Sequence, residues 1–288
     1  MSIARVIGTV ALPCVNHRME PHPVSSNTGE LNDFLPVNGM TGKSVLVTGA
    51  AQGLGRVIAR HLGARGVIVG AVDIQDTAET AALINASGGH ALALRADVTN
   101  PDDMTVAARA LADISGRLDG LVNGAALFTT LARGPFTELN LDEWDRTFAV
   151  NVKSILVCTR AVTPYFTEAR SGSIVNIGSN VVSYGAAHFL QYVSSKSAII
   201  GMSRSLAREL GPLRVRVNTV SPGLVTTEVT SAQRSDDYRQ RVIDTQCITE
   251  PIRPRDVAEL VSFLLSDASR YITGQDLLIN AGSHMGPA

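Results

Sequence analysis

The sequence is poor in cysteine and has no long apolar run. Its three cysteines, Cys14, Cys158 and Cys247, lie far apart and lack the close spacing of a metal site. An odd and scattered set also argues against structural disulfides and is typical of a reducing compartment. No apolar run approaches the length that a transmembrane helix needs. We therefore expect a cytoplasmic protein with no membrane partner, no disulfide framework and no metal centre.

Charge also lacks a strong bias of either sign. Lysine and arginine together number 25, aspartate and glutamate number 26, and the formal net charge is −1. No block of like charges occurs, so the sequence predicts no nucleic-acid partner. Lysine itself is scarce, because only Lys43, Lys153 and Lys196 occur and arginine supplies every other fixed positive charge. Each lysine is therefore a candidate for a role that needs a compact ammonium group.

The order of apolar and polar segments predicts the fold class. Residues 1–40 are rich in proline, asparagine and serine without a sustained period, which predicts a poorly ordered N-terminal extension or an arm that packs on a neighbouring molecule. Over residues 41–288, short apolar strands alternate with helical patterns, which predicts an α/β fold: one doubly wound domain with a parallel sheet of about seven strands and helices on both faces. One long helical pattern runs from Leu141 to about Ala169, and we expect Pro164 to interrupt it. The predicted strands are Ser44–Thr48, Val67–Val72, His90–Arg95, Leu118–Asn123, Gly172–Gly178, Arg214–Val220 and Gln275–Asn280.

A glycine-rich loop joins the first predicted strand to the first predicted helix. It reads Gly49-Ala-Ala-Gln-Gly53-Leu-Gly55. Gly49 permits a tight turn, Gly53 permits close approach of a pyrophosphate, and Gly55 permits the helix to pack on the strand. The N-terminus of the helix that follows offers N–H groups and partial positive charge to phosphates. The loop therefore predicts a dinucleotide-binding site.

Asp73 predicts which dinucleotide binds. It ends the second strand, twenty residues after Gly53. A carboxylate in that place accepts hydrogen bonds from the ribose hydroxyls of NAD and repels the 2′-phosphate of NADP. Gln52 is uncharged and Ile74 is apolar, so these neighbours supply no cation for that phosphate. We predict NAD, although a solvated turn residue at a strand end would look the same.

A tyrosine and a lysine lie four residues apart at the start of a predicted helix. Tyr192 and Lys196 share one helix face at this spacing, so the ammonium should lower the pKa of the phenol and make it a plausible acid and base. Taken alone, such a pair more often lies on the solvent-exposed surface and has no catalytic role. Ser179 follows the apolar strand Gly172–Gly178, at the strand end where open α/β sheets bind their ligands.

Together these motifs resemble the classical short-chain dehydrogenase/reductase family. The resemblance rests on Thr48-Gly49-x-x-x-Gly53-x-Gly55, Ser179, Tyr192-x-x-x-Lys196 and Ser221-Pro222-Gly223, in the family's order and with its separations, and it covers residues 41 to about 282. It implies a Rossmann-type fold, a nicotinamide cofactor, a small-molecule alcohol or carbonyl substrate, and a homotetramer or homodimer.

The resemblance also implies a role for each matching residue. Tyr192 would take the proton of the substrate hydroxyl, Lys196 would assist it and hold the nicotinamide ribose, and Ser179 would hydrogen-bond the reacting oxygen. Asn151 matches the fourth catalytic position of the family, where a helix kink holds a water in a proton relay. The expected cofactor-binding residues are Gly49, Gln52, Gly53, Leu54, Gly55, Asp73, Ile74, Asp97, Val98, Asn123, Gly124, Ala125, Tyr192, Lys196, Pro222, Gly223, Val225 and Thr226.

One motif departs from the family pattern. After the fourth strand the family usually has Asn-Asn-Ala-Gly, and here the run is Asn123-Gly124-Ala125-Ala126, for which we expect a small adjustment near the cofactor ribose. The combined features predict an NAD-dependent oxidoreductase that interconverts a secondary or primary alcohol with its carbonyl compound. An NADP-dependent carbonyl or 3-oxoacyl reductase and an inactive cofactor-binding scaffold are the alternatives.

Substrate choice is predicted to lie mainly after Thr226. Residues 227–250 are polar and charged, which predicts a helical lid over the site, although a solvated helix pair explains most of these charges equally well. The expected substrate is a small polar alcohol, such as a sugar. The residues expected to border its pocket are Leu127, Phe128, His188 and Phe189.

Overall fold

The computed structural model describes residues 39–231 and 235–285. The expected N-terminal extension lies outside these residues, apart from Gly39 and Met40. Met40 is 1% exposed and belongs to the hydrophobic core. Among the described residues, no helix combines the length and the apolar character needed to cross a membrane.

Seven parallel strands form one sheet in the order β3-β2-β1-β4-β5-β6-β7, which confirms the predicted fold class. The strands are β1 Ser44–Thr48, β2 Ile68–Asp73, β3 His90–Arg95, β4 Gly120–Asn123, β5 Gly172–Ile177, β6 Val215–Pro222 and β7 Asp276–Ile279. The helices are α1 Gly53–Gly63, α2 Ala78–Ala86, α3 Pro101–Ser115, α4 Leu141–Phe148, α5 Ser154–Ala169, α6 Val181–Tyr184, α7 Leu190–Leu210, α8 Glu228–Ser231, α9 Asp236–Ile243 and α10 Pro254–Leu265.

Each face of the sheet carries its own hydrophobic core. Along β1, Val45 and Val47 pack in a cluster with side chains of α1 and α10, whereas Leu46 packs in a second cluster with side chains of α3, α5 and α7. Successive strand residues point to opposite faces, so one strand serves both clusters. Burial on both faces explains why β1 has no polar alternation in its sequence.

The strand order reverses between β1 and β4. From β1 the chain proceeds through β2 and β3 to one side, and from β4 it proceeds through β5, β6 and β7 to the other. The connections on the two sides therefore diverge at the carboxyl ends of β1 and β4. Such a divergence leaves a crevice where doubly wound proteins bind their ligands.

The long helical stretch is interrupted at a place other than Pro164. Helix α5 continues through this proline, and the interruption is a π-helical turn at Ala149–Lys153, between α4 and α5. A proline removes one backbone hydrogen bond, and here the helix is held on both sides of it by the buried Val162 and Phe166. The expectation of a break at Pro164 is therefore wrong.

Candidate active site

The glycine loop after β1 lies against the loop after β4, and two of its glycines occupy positions with no room for a side chain. Gly49 has a positive φ of 72°, and a Cβ built there would lie 2.8 Å from the backbone nitrogen of Ala125. A Cβ on Gly55 would lie 2.0 Å from the carbonyl oxygen of Gly49. Both distances are too short for any side chain. The turn therefore presents bare backbone to the crevice.

Thr48 ties these two loops together. Its Oγ1 accepts hydrogen bonds from the backbone N–H of Gly124 at 3.1 Å and of Ala125 at 3.3 Å, and it donates to the carbonyl of Val122. The approach is so close that a Cβ on Gly124 would lie 2.7 Å from the carbonyl oxygen of Thr48. Glycine at this position of the divergent motif is thus explained by the contact between the two loops.

The carboxylate of a residue distant in sequence lies at the N-terminus of α1. Glu228 of α8 accepts a hydrogen bond from the backbone N–H of Gly53 at 2.7 Å. The start of α1 therefore holds an anion, which is the chemistry that a cofactor pyrophosphate requires there. The bare glycine backbone and this N-terminus together suit a dinucleotide.

Asp73 lies at the end of β2, beside the glycine loop. Its Oδ2 accepts a hydrogen bond from Ala51 N at 3.1 Å, and its Oδ1 accepts one from Gln75 N at 3.0 Å. The next side chain, Ile74, is 59% exposed. The nearby cation Arg56 is ion-paired with Glu79 at 2.8 Å.

Lys196 is buried beneath Tyr192 on α7. Its side chain is 3% exposed, and Nζ donates a hydrogen bond to the carbonyl of Ile177 at 2.8 Å. The same Nζ lies 5.7 Å from the centre of the Tyr192 ring. Burial lowers the pKa of Lys196 from 10.5 to about 8. The ammonium is therefore held near the ring of Tyr192, in a buried place where water screens its charge little.

Ser179 completes the group of side chains at the end of β5. It is half-buried, two residues beyond the last residue of the strand, and its Oγ accepts a hydrogen bond from Val181 N at 3.3 Å. A hydroxyl that accepts in this way still has its own proton to donate. Ser179, Tyr192 and Lys196 line one cavity of about 600 Å³.

Asn151 lies behind this group, in the π-helical turn. It is 1% exposed and lies outside the cavity lining. Its Oδ1 accepts from Leu127 N at 2.7 Å, and its Nδ2 donates to Leu127 O at 3.2 Å and to Ser195 Oγ at 3.1 Å. Ser195 in turn donates to the carbonyl of Tyr192 at 2.8 Å. The asparagine thus holds the loop after β4 against the helix that carries Tyr192.

The cavity gathers most of the expected cofactor-binding residues. Asn123 lies outside the lining, since it is buried and donates to the side chain of Asn176 at 2.8 Å. Thr226 is also outside, and the neighbouring Thr227 lines the cavity in its place. The expected residues that do line it are Gly49, Gln52, Gly53, Leu54, Gly55, Asp73, Ile74, Asp97, Val98, Gly124, Ala125, Tyr192, Lys196, Pro222, Gly223 and Val225.

Thr227 was missed by sequence reasoning, although the sequence contains a signal for it. Its Oγ1 accepts a hydrogen bond from Thr230 N at 3.3 Å, so a threonine followed three residues later by another begins the short helix α8. Threonine is a common residue at the start of a helix. That pattern would have marked Thr227 as the residue before a helix.

An aromatic cluster surrounds Tyr192 at one end of the cavity. The ring centre of Tyr192 lies 4.8 Å from that of Phe189 and 5.0 Å from that of Phe128. Leu127 and Phe128 line the cavity, as expected. Phe189 packs behind Tyr192 outside the lining, and His188 is exposed with a φ of 62°.

Known proteins resemble this chain over most of its length. A family model described as enoyl-(acyl carrier protein) reductase matches residues 49–284. The 3-oxoacyl-[acyl-carrier-protein] reductase FabG of Staphylococcus epidermidis is 34% identical over 246 residues, which are 84% of this chain and 99% of that protein. The protein of the same name from Vibrio cholerae is 33% identical over 247 residues, which are 85% of this chain and 99% of that protein. The structure of a short-chain type dehydrogenase/reductase from Mycobacterium ulcerans has a TM-score of 0.80 at 30% identity, and the match covers 84% of this chain and 90% of that one.

Proposed function

The chain belongs to the classical short-chain dehydrogenase/reductase family and is an oxidoreductase, and from that premise we propose that it interconverts an alcohol and its carbonyl compound with NAD. The observation that carries the proposal is the buried Lys196 beneath Tyr192, on the wall of a cavity that also contains the glycine loop and Asp73. A lysine this deeply buried costs folding free energy, so its position points to chemistry rather than to stability.

Three side chains divide the work at the reacting carbon. When bound, a nicotinamide ring supplies the hydride acceptor. The Tyr192 phenolate accepts the hydroxyl proton as the alcohol is oxidised, and in reduction the phenol returns a proton to the carbonyl oxygen. The ammonium of Lys196 favours the phenolate by its charge, and the Ser179 hydroxyl donates a hydrogen bond to the oxygen whose charge changes.

Asp73 supports the choice of NAD. Its carboxylate is fixed by two backbone N–H groups beside the loop where the adenosine ribose of a dinucleotide would lie. A 2′-phosphate there would meet a negative charge, and Arg56, the nearby cation, is paired with Glu79.

An NADP-dependent 3-oxoacyl reductase is the second candidate. It is favoured by the names of the two relatives from Staphylococcus epidermidis and Vibrio cholerae. Asp73 argues against the NADP part of this alternative. Assembly as a homotetramer or homodimer and a cytoplasmic location both stay predictions, and light scattering would test the first.

The test is absorbance at the reduced-nicotinamide band, with NAD and NADP in separate reactions. The panel contains alcohols and sugars for oxidation, and 3-oxoacyl thioesters for reduction. We expect turnover with NAD and little with NADP. Turnover only with NADPH and thioesters would establish the second candidate, whereas NAD binding without turnover of any substrate would favour a scaffold.

A further inference from the structure

A row of polar side chains crosses the sheet at the level where β1 and β4 end. The register of the parallel strands places five residues side by side, namely Thr48, Asn123, Asn176, Thr219 and Asp276, one each on β1, β4, β5, β6 and β7. The first four are at most 5% exposed. Buried positions of parallel strands are normally apolar, because a polar group without a hydrogen bond costs free energy there. The row therefore needs an explanation other than the hydrophobic core.

Asn176 lies at the centre of this row and is hydrogen-bonded on both sides. Its Oδ1 accepts from Asn123 Nδ2 at 2.8 Å, and its Nδ2 donates to Ser203 Oγ on α7 at 2.8 Å. Ser203 Oγ also accepts from Thr219 Oγ1 at 2.9 Å and donates to the carbonyl of Ile199 at 2.8 Å. Because its proton goes to that carbonyl, Ser203 can only accept from Asn176, which fixes the orientation of the amide. A buried network that is bonded in this way holds a single geometry.

Ser203 and Lys196 hold helix α7 on strand β5 at two neighbouring points. The two residues are seven positions apart and so lie on the same face of the helix. Lys196 Nζ donates to the carbonyl of Ile177, which follows Asn176 directly in β5. Ile199, between the two bonds, is 1% exposed. The segment of α7 that carries the lysine is therefore bonded to the strand at both of its ends.

We propose that Asn176 is a positioning residue: through Ser203 it fixes the distance between α7 and β5, and thereby the place of the Lys196 ammonium. The position of the lysine follows from these hydrogen bonds alone, whereas its consequence for turnover at Tyr192 rests on the proposed function. A purely structural role is the alternative. In that case, loss of the bond would lower stability without changing the surroundings of the lysine.

The pKa of Lys196 reports on those surroundings. Burial is the cause that lowers it to about 8, and Tyr192, with its ring centre 5.7 Å from Nζ, is the titratable group that faces the ammonium on the same helix. Asp276, at the end of the polar row, accepts from Ser221 Oγ at 2.6 Å. Burial raises the pKa of Asp276, while the Ser221 bond and the charge of Arg204 oppose that rise. An ammonium that moves to a better hydrated place should show a pKa closer to 10.5.

The first test observes Lys196 directly and needs no turnover. The chain contains three lysines, so protein labelled with carbon-13 at lysine Cε gives three signals, and Lys196→Met identifies the relevant one. NMR spectra across a pH series then give the midpoint of the Lys196 titration. We expect this midpoint to rise by about one pH unit, toward 10.5, in Ser203→Ala, because water gains access to the ammonium.

Ser173→Ala is the matched control, because it removes one buried hydroxyl from the same strand without touching α7. Ser173 Oγ donates to the carbonyl of Leu264 in α10 at 2.8 Å, on the opposite face of the sheet. A Lys196 midpoint that is unchanged in Ser203→Ala, or that moves equally in Ser173→Ala, would overturn the proposal. Should Ser203→Ala fail to fold, the same criterion applies to Ser203→Cys, which keeps the shape of the side chain but accepts hydrogen bonds weakly.

A second test asks whether the two residues act through their mutual bond. Asn176→Val and Ser203→Ala should each raise the Lys196 midpoint, and the double variant should raise it no further than the larger single change does. Additive shifts would mean that Asn176 acts independently of Ser203 and would contradict the proposal.

Turnover then separates this proposal from the proposed function. The pH at which alcohol oxidation is half-maximal should move upward in Ser203→Ala, and kcat at pH 7 should fall about tenfold, because a displaced ammonium favours the Tyr192 phenolate less. A shifted Lys196 titration without turnover of any substrate by the wild type would sustain the positioning role and refute the proposed reaction. Turnover by the wild type with an unshifted Lys196 titration in the variants would do the reverse.

Discussion

We expect the cofactor at the end of the cleft formed by the glycine loop, the cofactor side, and the substrate at the end near Tyr192, the substrate side. The cofactor side exposes much bare backbone, whereas the substrate side presents mainly side chains. Gly49 and Gly55 present bare main chain, because a Cβ at either position would collide with neighbouring backbone. Across the cleft, Tyr192, Phe128 and Arg133 come from the helix α7 and from the loop after β4. A surface made of backbone can recognise what all dinucleotides share, whereas one made of side chains can select a single substrate.

The largest effect is expected on the substrate side. Tyr192→Phe removes the phenol oxygen, and kcat should fall about a hundredfold to ten-thousandfold because the proton has no acceptor. Affinity for NAD should stay within about twofold of the wild-type value if the cofactor side of the cleft binds NAD without the phenol oxygen of Tyr192. The measurements are steady-state absorbance and calorimetric titration, with Tyr271→Phe as control, since Tyr271 is 89% exposed. Undiminished turnover in Tyr192→Phe would remove this tyrosine from the mechanism.

The free energy of unfolding should show that the buried charge of Lys196 destabilises the folded protein. The pKa of Lys196 is lowered from 10.5 to about 8 by burial, so between these values the unfolded chain binds a proton that the folded chain has lost. Stability should therefore rise by about 2–3 kcal/mol as pH increases from about 8 to about 10.5.

Urea unfolding across this pH range measures that rise. We expect it to be absent in Lys196→Met and kept in Lys43→Met, since Lys43 is a half-buried lysine paired with Asp267. A pH profile of Lys196→Met that follows the wild type would show that another group titrates.

A substitution at Asp73 tests whether the cofactor side of the cleft discriminates between NAD and NADP. Asp73→Asn removes the charge and keeps one acceptor oxygen, so kcat/KM with NADP should rise about tenfold, while that with NAD changes less. Asp113→Asn, an exposed site on α3, controls for the change in net charge. If NADP use stays constant in Asp73→Asn, the preference must reside in the shape of the loop.

The smallest effect is expected at Glu228. Its carboxylate accepts from Gly53 N–H at the N-terminus of α1, where it should repel a pyrophosphate. We expect Glu228→Gln to tighten NAD binding about threefold by calorimetric titration, with Glu250→Gln as the control. Weaker binding in Glu228→Gln would mean that the carboxylate supports the cofactor instead of competing with it.

The sequence could predict the features that depend on local patterns. The glycine spacing, Asp73 at a strand end and the Tyr192–Lys196 pair are local patterns, and the structure brings all of them to one cavity. The seven-stranded sheet followed from alternating apolar runs, because the central strands bury both faces.

The rest depends on contacts between distant segments. Nothing in the sequence around Arg133 indicates that it shares a cavity with Arg241, more than a hundred residues further along the chain. The Gly53–Glu228 contact likewise joins segments that only the folded sheet brings together. Asn151 was identified from the family resemblance, whereas its bonds to Leu127 and Ser195 became visible only in three dimensions.

The π-helical turn at Ala149–Lys153 has a consequence for how the site can be lost. A π turn closes its hydrogen bonds over one more residue than an α-helical turn. Deleting a single residue from it would let α4 and α5 merge into one regular helix and would rotate Asn151 away from Leu127 and Ser195. Substitutions at the same positions leave the chain length, and with it the turn, in place. The position of Asn151 therefore depends on the number of residues in this segment as well as on their identity. Deletion of one residue would displace Asn151, whereas few single substitutions could do so.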